Sequence, residues 1–181
     1  MSPKYYTMIG SRETPTDILE LMVKVASKLA SSGWCVRSGG ANGADQAAED
    51  GCLRKLCGRM EIYLPWEGFN GKSANNRGYI NTSKMKNFKD AAIIAEATHP
   101  AWGYCTRGAR GLHTRNVYQI LGKGLRTPSK FVLCWAKPTG VGDNCKGGTG
   151  TAVKLGINHG VSIINLHHEY NIKRMIKFLE E

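Results

Sequence analysis

Short apolar runs alternate with longer segments of helical periodicity along the whole chain, and this alternation constrains the fold more than any single motif does. The apolar runs predict strands at residues 5–9, 34–37, 60–64, 130–135 and 161–166. Helical spacing of apolar residues predicts helices at residues 15–32, 44–56, 82–97, 112–121, 151–158 and 170–179. Strands that are apolar almost throughout are typical of a parallel sheet with both faces covered. The sequence therefore predicts an α/β fold with a doubly wound, mainly parallel sheet.

No internal repeat, linker or low-complexity tract divides the 181 residues, so we expect residues 1–181 to form a single domain. Segments rich in glycine, asparagine or proline predict irregular structure at 66–80, 99–110 and 136–150. Ligands of open parallel sheets bind in a crevice outside the carboxyl ends of the strands. The most distinctive loops follow the first, second and fourth predicted strands, so they converge on that edge.

The run Ser38-Gly39-Gly40-Ala41-Asn42-Gly43-Ala44-Asp45 joins the second predicted strand to the second predicted helix. Its glycines let the backbone turn tightly and approach a bound group closely. The helix that follows points free N–H groups and the positive end of its dipole at the same place, which favours a phosphate or another anion. Asp45 opens this helix, where it either caps the N–H groups or binds a ribose hydroxyl.

Three more segments offer similar chemistry. Gly10-Ser11-Arg12 brings a hydroxyl and a planar guanidinium suited to phosphate, Arg115-Asn116 lies in a locally basic helix, and Lys146-Gly147-Gly148-Thr149-Gly150-Thr151 places glycines and hydroxyls at a helix start. Each segment also has a structural interpretation, as a turn, a cap or a solvated charged face. Because they converge, we expect a ligand to be bound by Gly10, Ser11, Arg12, Ser38, Gly39, Gly40, Ala41, Asn42, Asp45, Arg115, Asn116, Gly147, Gly148, Thr149, Gly150 and Thr151.

The formal net charge of +11 favours anionic partners, such as nucleotides, nucleic acid or acidic proteins. The basic residues are spread over the chain without a run of five, which favours a scattered surface charge over a nucleic-acid tract. Trp66, Trp102 and Tyr104 lie in predicted loops, where they either stack on a base or cover the core.

Other classes of protein are disfavoured by what the sequence lacks. The six cysteines form no Cys-x-x-Cys pair and the five histidines show no metal-binding spacing, so we expect no metal site and no cofactor. Cys35 and Cys134 fall on predicted buried strands, which indicates reduced thiols. No stretch approaches the ~20 apolar residues of a membrane span, and the first residues lack an apolar signal core. We therefore expect a cytoplasmic protein without a membrane partner.

Taken in order, Gly10-Ser11-Arg12, the 38–45 run, Arg115-Asn116 and the 147–151 run resemble the SLOG superfamily. This superfamily includes DNA-processing protein A, molybdenum-cofactor carrier-like proteins, the Lonely Guy phosphoribohydrolases and nucleotide-sensing domains of antiviral defence systems. The resemblance spans residues 5 to about 166 and is strongest to small stand-alone bacterial or phage members. It implies a Rossmann-like fold, a nucleotide or nucleotide-derived ligand in the crevice, and assembly into dimers or tetramers.

The chain departs from the hydrolase branch of that superfamily at one position. In that branch the second glycine run is followed closely by a catalytic glutamate, whereas here Ala152, Val153 and Lys154 follow it. Cleavage of an N-glycosidic bond needs a carboxylate, by analogy with glycoside hydrolysis. Asp45, Glu49 and Asp143 are the candidates to replace it, although the sequence places none of them at a scissile bond.

Three functions remain open from the sequence. The first is a binding protein for a phosphorylated nucleoside, such as a cyclic or ADP-ribose-like signal. If a phage encodes the protein, sequestering a host defence signal would be a natural use of it. The second is a nucleoside-monophosphate N-glycosidase, and the third is a single-stranded DNA-binding protein similar to DNA-processing protein A. Anion-binding loops without an evident catalytic carboxylate favour the first.

Overall fold

The computed structural model describes residues 3–56 and 58–181. Over these residues the chain forms six strands and six α-helices: β1 (Lys4–Gly10), α1 (Thr16–Ser31), β2 (Trp34–Ser38), α2 (Ala44–Leu53), β3 (Arg59–Leu64), β4 (Tyr79–Asn81), α3 (Phe88–Thr98), α4 (Arg107–Leu121), β5 (Phe131–Trp135), α5 (Gly147–Asn158), β6 (Ser162–Asn165) and α6 (Glu169–Glu180). The alternation of strand and helix confirms the predicted α/β class. Among the described residues, no helix has both the length and the apolar character that a membrane span requires.

All six strands are parallel and lie in the order β4-β3-β2-β1-β5-β6. The chain winds from β1 outward through β2 and β3 on one side, and then continues through β5 and β6 on the other. The carboxyl ends of β1 and β5 therefore form the switch point at which α/β sheets bind ligands. The sheet is wholly parallel rather than mainly so, and the prediction of a Rossmann-like, doubly wound fold is confirmed.

Strand β4 was not predicted, since it has only three residues and follows a stretch of glycine, asparagine and lysine. It pairs with β3 through the register Ile62 to Tyr79, and the Ile62 N–H donates to the Gly78 carbonyl at 2.8 Å. Gly78 has φ of 112°, and a Cβ there would clash with the Met60 carbonyl. Backbone geometry at one glycine, rather than an apolar pattern, makes this pairing possible.

The two faces of the sheet carry separate apolar cores. One core packs α1, α2 and α6 against inward side chains such as Met8, Ile62 and Leu133. The other packs α3, α4 and α5 against Ile9, Tyr63 and related residues. Alternate strand residues serve opposite faces, which explains why the strands read as apolar throughout. Helices on both faces, as predicted, follow from this arrangement.

One arginine interrupts the apolar interior. Arg37 on β2 is 2% exposed and pairs with Glu61 on β3, with Nε 2.9 Å from Oε2. Its Nη1 donates to the Thr127 carbonyl at 2.6 Å, and its guanidinium lies 3.8 Å from the Tyr5 ring centroid. Glu61 also accepts a hydrogen bond from the Tyr63 hydroxyl at 2.6 Å. The buried guanidinium is thus paired with a carboxylate and hydrogen-bonded to a backbone carbonyl.

Several helix boundaries differ from the prediction. Helix α4 begins at Arg107, so residues 107–110 are helical although an irregular segment was predicted; the Thr106 hydroxyl caps it by accepting the Ala109 N–H at 3.2 Å. Helix α5 begins at Gly147, four residues before the predicted start, because glycine is tolerated in a first turn whose backbone groups lack helical partners. Residues 82–84 form a separate 3-10 turn before α3, and α2 ends at Leu53.

The predicted burial of two cysteines is confirmed, since Cys35 and Cys134 are 5% and 0% exposed on their strands. Burial raises the pKa of Cys35 to about 12 and that of Cys134 further, so both remain protonated thiols at neutral pH. Cys57 lies outside the described residues.

Candidate functional site

A cleft of about 500 Å³ opens at the switch point between β1 and β5. Its walls are the loops that follow β1, β2 and β5, together with one face of α4. Of the sixteen predicted ligand-binding residues, eleven line this cleft: Gly10, Ser11, Arg12, Ala41, Asn42, Asp45, Arg115, Asn116, Gly147, Gly148 and Thr149. The cleft volume is within the usual range for a small-molecule site.

The loop after β1 forms the near wall. A Cβ at Gly10 would lie 2.7 Å from the Cβ of Ala44, so only glycine lets the start of α2 come this close. The Ser11 N–H donates to the Trp135 carbonyl at 2.9 Å, and its hydroxyl oxygen accepts the Glu13 N–H at 3.2 Å. These contacts anchor the loop and leave Arg12 exposed at the rim of the cleft.

The glycine run after β2 divides into a supporting part and a lining part. Ser38, Gly39 and Gly40 are buried and do not line the cleft. The Ser38 hydroxyl donates to the Met8 carbonyl at 2.6 Å, and Gly40 has φ of 73°, where an added Cβ would lie 2.7 Å from Leu64 Cδ2. Only the second half of the run, with Ala41 and Asn42, faces the cleft.

Asp45 lies where this run enters α2 and is 6% exposed. Its Oδ2 accepts the Ala41 N–H at 3.2 Å, so the carboxylate holds the loop rather than capping the helix in the usual sense. Burial raises the pKa of Asp45, and the positive charge of Arg115 partly opposes that rise.

Arg115 is the most unusual side chain of the cleft. It is 7% exposed, and its guanidinium donates to the Gly39 carbonyl, to the Tyr63 carbonyl at 3.4 Å and to Asn116 Oδ1 at 3.0 Å. All three acceptors are neutral, and no described carboxylate forms an ion pair with it. Burial lowers the pKa of Arg115, and the charge of Asp45 partly restores it. A buried cation with neutral partners is costly in an empty site and favours an anion beside it.

The amino-terminal end of α5 forms the far wall. Lys146, the N-cap residue, makes no side-chain capping hydrogen bond, and Gly147, Gly148 and Thr149 of the first turn line the cleft beside it. Asn116 Nδ2 donates to the Gly148 carbonyl at 3.0 Å and fixes the turn to α4. Uncapped N–H groups and the helix dipole favour an anion here.

Two predicted residues of this segment lie outside the cleft. A Cβ at Gly150 would clash with the Cys145 carbonyl, which explains why glycine is required inside the first turn. The Thr151 hydroxyl donates to the Gly148 carbonyl at 2.9 Å and lies 2.9 Å from His113 Nδ1. Both residues border a neighbouring groove of about 330 Å³.

The three candidate catalytic carboxylates lie in different surroundings. Asp45 lines the cleft, but Glu49 is 1% exposed and binds Lys72 Nζ at 2.7 Å and the Tyr79 hydroxyl at 2.6 Å. Asp143 lies on the loop between β5 and α5 and does not line the cleft. Glu13, which was not predicted, lines the cleft at its rim and pairs with Lys137 at 2.8 Å. Since Glu49 holds α2 to β4, its contacts are those of a structural carboxylate.

The sequence prediction missed nine lining residues: Ile9, Glu13, Phe69, Ala109, Leu112, His113, Gln119, Lys146 and Ala152. Five lie on α4 or α5. Ala109 lies in the part of α4 that was predicted as irregular, and Leu112 and Gln119 share a helix face with Arg115 by their spacing. Phe69 lines the cleft, with its ring centroid 5.6 Å from the Arg115 guanidinium. Trp66 packs edge-on against Phe69 at 5.4 Å; neither it nor Trp102 nor Tyr104 lines the cleft.

A family model and solved structures resemble this chain. Residues 1–63 match the family model described as DNA recombination-mediator protein A. A comparison with curated proteins finds no match. The molybdenum cofactor carrier protein of Chlamydomonas reinhardtii is 14% identical, with 98% of this chain and 85% of that chain covered and a TM-score of 0.53.

DNA processing protein A from Helicobacter pylori, whose structure addresses single-stranded DNA binding, is 17% identical, with 97% of this chain and 72% of that chain covered and a TM-score of 0.55. At these identities the likeness concerns the fold. Together with the match of residues 1–63, it confirms at the level of the fold the predicted resemblance to DNA-processing protein A and to molybdenum-cofactor carrier proteins.

Proposed function

We propose that the cleft binds a nucleotide or nucleotide-derived ligand through its phosphate groups, and that the protein holds this ligand rather than converting it. The observation that carries the proposal is the buried guanidinium of Arg115, whose hydrogen-bond partners among the described residues are all neutral and which lies in the same cleft as the amino-terminal end of α5. A phosphate between them would supply the missing negative charge, and charge-assisted hydrogen bonds are roughly twice as strong as neutral ones.

The remaining lining supports a nucleoside attached to that phosphate. Asn42 and Gln119 offer amides for sugar hydroxyls and for the ring nitrogens of a base. Phe69 offers an aromatic face next to the cationic end of the site. An ADP-ribose-like or cyclic signalling nucleotide combines these chemical groups, and its capture by an abundant binding protein would remove it from solution.

The comparisons support a binding role at the level of the fold. One structural neighbour is described as a carrier of molybdenum cofactor and the other by its single-stranded DNA binding mode. Of the three candidate carboxylates, only Asp45 lines the cleft, and it already accepts a backbone hydrogen bond. Binding without turnover is the simpler use of this site.

Calorimetry against a panel of mono-, di-, cyclic and ADP-ribose-like nucleotides tests the proposal. We expect at least one ligand to bind with one site per chain, and Arg12→Gln and Lys146→Gln to weaken it. Arg54→Gln is the matched control, because Arg54 is an exposed arginine at the opposite end of α2. Absence of heat for every nucleotide in the panel, with folded protein, would refute the proposal.

A second candidate function is single-stranded DNA binding. Residues 1–63 match the DNA recombination-mediator protein A family, and the net charge is +11. Fluorescence anisotropy with a labelled oligonucleotide then shows an affinity that falls with salt, with a slope of about 0.7 per phosphate contacted. Arg12→Gln would reduce that slope by about one contact, whereas an affinity independent of salt would exclude this function.

A further inference from the structure

Three side chains with metal-binding atoms meet beside the cleft, although their spacing in the sequence shows no metal motif. They are His99, which follows α3, Cys105, which follows the 3-10 turn at Trp102–Tyr104, and His113 on α4. One ligand atom from each lies within 4.8 Å of the other two, and all three residues are half-buried. The three residues therefore come from three different segments, with His113 inside α4 and the other two before it. A search for metal-binding spacing within one helix does not find such a group.

We infer that His99, Cys105 and His113 form a binding site for a zinc-class divalent metal ion. This inference is independent of the proposed nucleotide binding. Zinc prefers nitrogen and sulfur ligands such as these, and three protein ligands leave one coordination position open.

The distances suit tetrahedral coordination. Bonds of about 2.3 Å to sulfur and 2.0–2.1 Å to nitrogen place a sulfur ligand and a nitrogen ligand roughly 3.6 Å apart around a tetrahedral ion. Cys105 Sγ lies 3.9 Å from His99 Nδ1 and 3.8 Å from His99 Nε2. The His99 and His113 ring centroids are 4.3 Å apart. The three ligand atoms lie within 4.8 Å of one another, against roughly 3.3–3.6 Å around a tetrahedral ion, so side-chain movements of about 1 Å would close the site.

The hydrogen bonds of His113 orient it for coordination. The Thr151 hydroxyl donates to the Gly148 carbonyl at 2.9 Å and lies 2.9 Å from His113 Nδ1, and on that basis we assign the Nδ1 proton to His113. In this tautomer Nε2 keeps its lone pair. A histidine ligand whose second ring nitrogen is held by an acceptor is the usual arrangement around a protein-bound metal.

His99 and Cys105 each give up a weaker contact when an ion binds. His99 Nδ1 accepts the Ala101 N–H at 3.1 Å, and Ala101 is exposed, so water replaces that acceptor when Nδ1 coordinates. The Cys105 thiol donates to the Ala101 carbonyl at 3.7 Å and loses its proton to solvent on coordination. No deeply buried group is left without a partner.

The open position is reached from the groove next to α5. His99 and His113 both line this groove of about 330 Å³, together with Lys146, Gly147 and Thr151. His113 also lines the main cleft. A water molecule or an anion can therefore complete the coordination from the side of the cleft.

Cobalt(II) titration of protein first stripped with a chelator tests the site, because a thiolate–cobalt bond gives a charge-transfer absorption that nitrogen and oxygen ligands do not. We expect the absorption to saturate at one equivalent per chain and to disappear when zinc is added. Cys105→Ser should abolish it, whereas Cys145→Ser should preserve it. Cys145 is the matched control, since it is also half-buried and lines the same groove.

Thr151→Val tests the orienting hydrogen bond and should weaken cobalt binding roughly 10- to 100-fold, the usual cost of losing such a partner. His99→Gln provides a second ligand variant if Cys105→Ser does not fold, and native mass spectrometry should then show loss of the bound metal. Absence of the charge-transfer absorption in the wild-type protein would overturn the inference. So would its persistence in Cys105→Ser or its loss in Cys145→Ser alone.

Discussion

Substitution of two buried arginines, Arg37 and Arg115, tests which of the two charges stabilises the fold and which binds a ligand. Arg37 is paired with Glu61 at 2.9 Å, whereas the acceptors of Arg115 in the described part of the chain are neutral oxygens. Both side chains are large, both lie in the interior of the fold, and methionine replaces either with a chain of similar length. The two variants are therefore expected to differ for electrostatic rather than steric reasons.

Arg37→Met should destabilise the fold by about 3–5 kcal/mol, the usual cost of leaving one member of a buried ion pair behind. Glu61 has a side chain only 11% exposed, and it would keep the Tyr63 hydroxyl and the more distant Lys123, 3.7 Å away. These remaining partners place the cost near the lower end of that range.

Arg115→Met should destabilise the empty protein by less than about 2 kcal/mol. It removes hydrogen bonds worth about 0.5–1.5 kcal/mol each, but it also removes the desolvation penalty of an ion, which is several kcal/mol. Asp45 can take up a proton when the positive charge is gone. Ligand affinity should fall roughly 10- to 150-fold, which corresponds to the 1.5–3 kcal/mol of one charged hydrogen bond.

Urea unfolding followed by circular dichroism measures the loss of stability in each variant. With a slope of about 2 kcal/mol per molar urea, Arg37→Met should lower the midpoint by roughly 1.5–2.5 M and Arg115→Met by less than about 1 M. Calorimetry with the nucleotide that binds most tightly measures the loss of ligand affinity in Arg115→Met. If Arg115→Met proves as destabilising as Arg37→Met, or binds ligand as tightly as wild type, Arg115 is a structural residue and the argument for an anion at this site fails.

Three further outcomes follow from the described contacts. Gly150→Ala should lower the urea midpoint of unfolding by at least about 1 M, because its Cβ meets the backbone carbonyl of Cys145. Gly148→Ala should cost little stability, because its Cβ would lie 3.9 Å from Asn116 Nδ2. Equal stability of the two variants would contradict the packing described for α5. Gly39→Ala should displace the Arg115 guanidinium, which its Cβ would contact, and should weaken nucleotide binding more than it lowers stability; unchanged affinity by calorimetry would count against that placement. Nucleoside monophosphates incubated with the protein should be recovered intact by chromatography, and release of free base that Asp45→Asn abolishes would instead establish an N-glycosidase.

The sequence predicts the fold better than it predicts the site. Apolar runs and helical spacing suffice for the doubly wound sheet, since each strand is buried on both faces and each helix on one. The cleft lies where that topology requires, and eleven of its residues were predicted from glycine loops and basic motifs. Strand β4 was missed because its pairing depends on Gly78 rather than on an apolar run.

The remaining differences arise from contacts between segments distant in the chain. Ser38 and Gly39 carry the most conspicuous motif, yet they lie beneath the cleft, because Met8 and Arg115 cover them. Glu49 was a catalytic candidate, but its partners Lys72 and Tyr79 come from a segment predicted as loop. No local sequence pattern predicts such pairings, because they form only after the sheet has brought the distant segments together.

The segment before β4 links the glycine run to the edge of the sheet. Lys72 Nζ donates to the Gly40 carbonyl at 3.1 Å and binds Glu49, while Asn70 Nδ2 also reaches Gly40 at 3.0 Å. Opening of this segment would therefore release β4 and expose β3, whose residues 60–64 are all buried. An uncovered apolar edge strand promotes association between chains. A ligand that contacts Phe69 and Asn42 would hold the segment closed, so an occupied cleft should also protect the protein against aggregation.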